Sequence, residues 1–148
     1  MSSLTLVRRI AAPAETVFDV ITTPEGIAQW WGPDDGPVLR AEFEPRVGGR
    51  FFVCFQMLDG TQHECSGEVL EFVRPVRLVT TWRWHGNEGE GKSRVEISLK
   101  PAGQGCELAF THALLPDDPA TVKGHERGWS GSLDKLERHL HAVRNAGG

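Results

Sequence analysis

Between Val38 and His112 the chain is a succession of short stretches rich in Val, Phe, Thr, Leu and Trp, each cut off by Gly, Pro, Asp or Asn. Consecutive short strands joined by tight turns make an antiparallel meander. The predicted strands are Val38–Phe43, Arg50–Met57, Gln62–Phe72, Arg77–Trp84, Ser93–Lys100 and Cys106–His112, with 86–91 as a solvated hairpin loop. After them Trp129, Leu133, Leu136, Leu140 and Val143 recur at steps of four, three, four and three, which is one stripe of a long helix. Pro116-Asp117-Asp118-Pro119 supplies its acidic, proline-bearing start. At ~1.5 Å per residue this helix runs about 30 Å or more, enough to cross a whole sheet.

Upstream, Leu4–Ile10 reads as a further strand, and Pro13 suits the first turn of a helix carrying Val17, Phe18 and Ile21. Thr23-Pro24-Glu25 marks a second start, with Thr23 as N-cap and Pro24 at the first helical position, and Gly32-Pro33 ends that helix. The 148 residues make a single domain, 1–148. The class is α+β: a curved antiparallel sheet of about seven strands on one long C-terminal helix, with a cavity where the two diverge.

Strand parity assigns the cavity walls. Leu78, Thr80, Trp82 and Trp84 alternate against Val79, Thr81 and Arg83, and the charge of Arg83 sends the second set to solvent. Leu108, Phe110 and His112 share a face that excludes Glu107. At the Asp59-Gly60 hairpin a two-residue turn would set Cys54 opposite Cys65 but mix phenylalanine with glutamate on one face. A three-residue loop, Leu58-Asp59-Gly60, groups Phe51, Val53, Phe55 and Met57 with His63, Cys65 and Gly67 and leaves Glu64, Ser66 and Glu68 to water. That register is expected, with no disulfide between the two cysteines. Val69, Leu70 and Phe72 then require a bulge.

All five tryptophans lie in Trp30-Trp31-Gly32-Pro33, Trp82-Arg83-Trp84 and Gly128-Trp129. Large amphipathic rings converging from three elements are more readily housed around a cleft than in a dry core. The expected walls are Trp31, Phe51, Phe55, Trp82, Trp84, Phe110, His112, His125 and Trp129. His112 and His125 are also the candidate acid-base groups. Glu71 and Glu126 are candidate carboxylate partners, more readily read as surface groups.

Other chemistry finds little support. With 16 Lys and Arg scattered against 20 Asp and Glu, and a net charge of −4, nucleic acid is a poor partner. No apolar run is long enough for membrane insertion, no signal peptide is evident, and three unpaired cysteines suit a cytoplasmic location. No metal is expected: His139 and His141 lie on different faces of their helix. No cofactor is expected either, since Gly103-Gln104-Gly105 lacks the helix a dinucleotide fingerprint needs, and Gly128-Trp129-Ser130-Gly131 lacks the context of a nucleophile elbow.

The order strand, two small helices, six strands, long helix resembles the helix-grip fold of the START and birch-pollen-allergen (SRPBCC) superfamily. Within it, Ala12-Pro13 with Val17-Phe18, Trp30-Trp31-Gly32-Pro33, Gly48-Gly49-Arg50-Phe51, Gly67-Glu68-Val69-Leu70-Glu71, Arg77-Leu78-Val79 with Thr81-Trp82, Thr111-His112, and His125 with Gly128-Trp129 are similar to the C-terminal-domain family of the activator of heat-shock protein 90 ATPase. The resemblance runs from about Leu6 to Leu140. It implies the fold and a small-molecule cavity, while function varies among such proteins. Three readings follow. One is a non-catalytic module binding a hydrophobic or aromatic small molecule. Another is a cyclase-, dehydratase- or hydrolase-like enzyme using His112 and His125. The third is a module interacting with a chaperone, although the separate N-terminal domain of the eukaryotic co-chaperone is not in these 148 residues. A monomer or homodimer is expected.

Overall fold

The computed structural model describes residues 1–86 and 91–147, with side chains to Ala142. Most of the expected 86–91 loop and the side chain of Val143 therefore lie outside the described residues. The elements run β1 (Ser2–Ile10), α1 (Ala14–Ile21), α2 (Pro24–Trp30), β2 (Val38–Phe43), β3 (Arg50–Gln56), β4 (Gln62–Val73), β5 (Arg77–Trp84), β6 (Ser93–Ala102), β7 (Gly105–Leu115) and α3 (Pro119–Gly147). The seven strands form one antiparallel sheet in the order β1-β7-β6-β5-β4-β3-β2, with α3 laid across its inner face. This is the α+β helix-grip arrangement.

The local chemistry explains the joints. Thr23 caps α2 by accepting a hydrogen bond from the Gly26 amide at 3.2 Å, and Pro24 follows at the first helical position. Pro13 occupies the N-cap of α1, one residue earlier than the sequence suggested. The β3–β4 hairpin takes the three-residue loop: Phe51 faces Gly67, Val53 faces Cys65 and Phe55 faces His63. Gly60 supplies the left-handed turn residue at φ 91°. Cys54 pairs across from Glu64, so it and Cys65 lie on opposite faces as free thiols. The bulge in β4 falls between Val69 and Glu71, leaving Leu70 outside.

β7 runs three residues beyond His112. Leu114 adopts φ 61°, and the register with β1 shifts there, so an extra residue breaks the alternation while Leu115 returns to the core. Val79 also departs from expectation. It lies on the outer face yet is fully buried, flanked by Glu71 and Glu96. Arg77 and Arg94 each ion-pair with both glutamates, so a charged network flanks the valine on that face.

α3 spans about 43 Å and adds Trp129, Leu133, Leu136 and Leu140 to the buried core, with the Trp129 ring 4.5 Å from that of Phe110. Arg8 of β1 reaches Asp134 at 2.6 Å and Glu137 at 2.9 Å, neighbours on one helix face, and fixes the helix against the sheet edge.

Candidate functional site

Towards the N-terminal half of α3 the helix leaves the sheet, and a cavity of about 160 Å³ opens between them. β5 contributes Trp82 and Trp84, two residues apart on one face, with ring centroids 4.5 Å apart. Phe55 of β3 and His63 of β4 enter as a cross-strand pair, centroids 5.4 Å apart. α3 contributes His125 and, one turn on, Trp129. Trp31, just past the end of α2, turns into extended backbone and closes the side, its ring edge-on to Trp129 at 5.2 Å. Met57, Gly32, Pro33, Gly124, Gly128 and Ser132 complete the lining.

Phe51 and Phe110 sit one layer deeper, bordering a second chamber of about 20 Å³ that shares Trp31, Trp82 and Trp129 with the first. His112 lies on neither wall. It is fully buried, with both ring nitrogens engaged. The Trp129 indole N–H donates to His112 Nδ1 at 3.0 Å, so Nδ1 carries no proton. The neutral ring therefore has its hydrogen on Nε2, donated to Ser93 Oγ at 2.6 Å. Ser93 in turn donates to the Trp82 carbonyl at 3.2 Å. Burial, reinforced by His125 with its ring centroid 4.7 Å away, pushes the His112 pKa down to about 3. The expected cavity group is thus an internal strut, whereas His125 lines the cavity beside Trp82 and Trp84.

Two of the α3 positions that line the cavity carry no side chain. A Cβ at Gly124 would meet nothing within 4 Å, and one at Gly128 would meet only Pro33 Cβ at 3.8 Å. Gly131 differs, since its Cβ would lie 2.1 Å from the Pro33 carbonyl oxygen, so close packing demands that glycine. Helical glycine costs about 1 kcal/mol relative to alanine. At 124 and 128 packing does not explain that cost, and both positions line the cavity.

The loop after α2 is fastened to α3. Ser132 Oγ donates to the Gly32 carbonyl at 3.0 Å, and Lys135 Nζ donates to the carbonyls of Trp31 at 2.9 Å and Asp34 at 2.6 Å. Burial lowers the Lys135 pKa, partly offset by Asp35 and Asp34. Among the described residues no carboxylate lines the cavity. Glu71 belongs to the outer-face network and Glu126 is exposed, so neither partners a cavity histidine. Among the described residues no cluster of three potential metal ligands occurs, and no helix is long and apolar enough to cross a membrane.

Met57 and His63 were readable from the β3–β4 register that puts them beside Phe55. Gly124 and Gly128 were signalled only by their spacing of four on a helix that also needs Gly131.

Comparison with known proteins agrees with this architecture. The sequence model of the family described as activator of Hsp90 ATPase homolog 1-like protein matches residues 11–141. The AHSA1 protein of Silicibacter pomeroyi is 28% identical, with 96% of this chain and 99% of that one covered at a TM-score of 0.85. A Chromobacterium violaceum protein is also 28% identical, with coverage of 93% and 96% and a TM-score of 0.81. A Nitrosomonas europaea protein is 25% identical, with coverage of 97% and 96% and a TM-score of 0.78. No curated protein matches the sequence.

Proposed function

Because the chain belongs to the family described as activator of Hsp90 ATPase homolog 1-like protein, we propose that it uses the helix-grip cavity to bind a small apolar or aromatic molecule without transforming it. The carrying observation is the 160 Å³ space between four tryptophans and the glycine-cleared face of α3. A cavity of roughly 150 Å³ holds a benzene-sized molecule, so a single aromatic ring is the scale of ligand that fits. Two glycines whose positions have room for side chains favour an occupant over a self-filled core. The non-catalytic form rests on His112, whose nitrogens are both used inside the protein and whose ring stays neutral.

Native mass spectrometry of the purified protein, with tryptophan fluorescence during titration by a panel of monocyclic aromatic and lipid-like compounds, tests this. A retained or saturable ligand that quenches the indoles is expected. A ligand-free mass and an unresponsive spectrum across the panel would overturn the proposal and shift the weight to a chaperone-facing role, for which an Hsp90 pull-down is the direct assay. His125, the histidine that does line the cavity, is where an enzymatic alternative now rests. Turnover of a bound compound, lost in His125→Phe with binding retained, would establish it.

A further inference from the structure

The 20 Å³ inner chamber has an unusual wall. Its lining is of apolar side chains together with Thr80 and four tryptophans, Trp30, Trp31, Trp82 and Trp129. Trp30 is 1% exposed, and its Nε1–H has no acceptor. A buried donor left unpaired is costly, and native folds usually answer one with a bound water or ligand. The Trp82 Nε1–H also lacks an acceptor in hydrogen-bond geometry, but it neighbours the Cys65 thiol, a weak acceptor. Trp30 is held in place by its neighbours, with ring centroids 5.3 Å from Trp31 and 6.4 Å from Trp129.

The residues common to both chambers are Trp31, Trp82 and Trp129. Trp129 is tethered through its nitrogen to His112. Trp31 is half-buried, precedes Gly32 at φ 100°, and is tied to α3 through its backbone carbonyl rather than its ring. A space of about 20 Å³ admits one water or the leading atoms of a ligand, but not a ring.

We propose that the two chambers form one site, the outer taking an aromatic ring and the inner taking an uncharged carbonyl oxygen that accepts the Trp30 Nε1 proton. The ligand class is a neutral aryl carbonyl compound, and Trp30 is its specificity-determining residue. A carboxylate is disfavoured in the inner chamber because no cation among the described residues lines it to offset desolvation. A hydrocarbon tip would leave the indole N–H unpaired, the situation in which buried polar groups discriminate most strongly. This assignment rests on the cavity binding proposed above and deepens it.

Acetophenone and α-methylstyrene provide the test, since they differ only in a carbonyl oxygen against a methylene. Both are titrated into the wild-type protein and Trp30→Phe, and the indole N–H signals of ¹⁵N-tryptophan-labelled protein are recorded by NMR. The ratio of acetophenone to α-methylstyrene affinity should fall about three- to ten-fold in Trp30→Phe. The Trp30 indole signal should move downfield with acetophenone alone. If Trp30→Phe does not fold, the wild-type spectra decide, with that signal assigned through its contacts to Trp31 and Trp129. An unchanged ratio, or a Trp30 signal that responds equally to both compounds, overturns the inference and leaves cavity binding standing. Binding of neither compound also overturns it, and silence across the wider panel then removes cavity binding as well.

Discussion

Replacing Gly128 by alanine should stabilise the protein and weaken its ligand binding in the same variant. Alanine is worth about 0.8–1 kcal/mol over glycine in a helix interior. The added methyl at 128 meets only Pro33 Cβ at 3.8 Å, an ordinary contact, so little of that gain is lost to strain. For a chain of this size the increment corresponds to about 2–4 °C in Tm. Gly124→Ala should behave alike, because nothing lies within 4 Å of its Cβ position. Both positions line the cavity, where overpacking costs about 1–3 kcal/mol, or roughly a 5- to 150-fold weaker Kd. Gly131→Ala is the internal control: its methyl would lie 2.1 Å from the Pro33 carbonyl, so it should lower Tm instead. Thermal unfolding followed by circular dichroism and fluorescence titration with the tightest compound of the panel read the two quantities separately. A lower Tm in Gly128→Ala, or a higher one with unchanged affinity, would refute the claim that these glycines exist to clear the cavity.

The His112 strut imposes a pH dependence. Its folded pKa of about 3 lies below the ordinary 6.5, so between these values the unfolded chain binds a proton that the folded chain refuses. Its contribution is present above pH 6.5 and is lost as the pH falls towards 3, by up to the order of 5 kcal/mol; urea unfolding from pH 7 to 4 should show this slope, and His112→Phe should flatten it. Lys135→Met leaves the carbonyls of Trp31 and Asp34 without their donor, and a loss of about 1–3 kcal/mol with a changed Trp31 emission is expected. Burial pushes the Cys65 thiol far above its usual range, so a thiol reagent should label it only as fast as the protein unfolds; labelling at a surface rate would contradict the fold at β4.

What the sequence made legible follows the strength of each local signal. Thr23-Pro24 fixes the start of α2 because a cap and a proline act without tertiary help, and the β3–β4 register follows from keeping phenylalanine and glutamate apart. The end of β7 was not legible, because a leucine at φ 61° carries no sequence mark. Parity told which face a residue joins but not its depth. It put Phe51, Phe110 and His112 correctly on the inner face, yet the first two border the deeper chamber and the third lies behind both. Val79 was assigned the right face and the wrong burial, because parity carries no sign of the ion-pair network that flanks it on the outer face. Gly124 and Gly128 line the cavity without a side chain, so no aromatic or polar residue type marks them in the sequence.

The distribution of restraints decides which wall can respond to an occupant. Trp129 is bonded to His112, His112 to Ser93, and Ser93 to the backbone carbonyl of Trp82. That chain runs from α3 through β7 and β6 into β5, so the helix wall and the sheet wall are tied by a single neutral relay whose middle ring cannot charge without losing its acceptor role. Widening the cavity by separating α3 from the sheet would break it. The third wall is fastened differently, since Ser132 and Lys135 hold the backbone of Trp31, Gly32 and Asp34 while the Trp31 ring itself meets other rings and the Cys65 thiol, a weak partner. Adaptation to ligands of different size must therefore fall on the Trp31 side chain, and Trp31→Phe should broaden the range of rings accepted while His112→Phe should loosen the site as a whole.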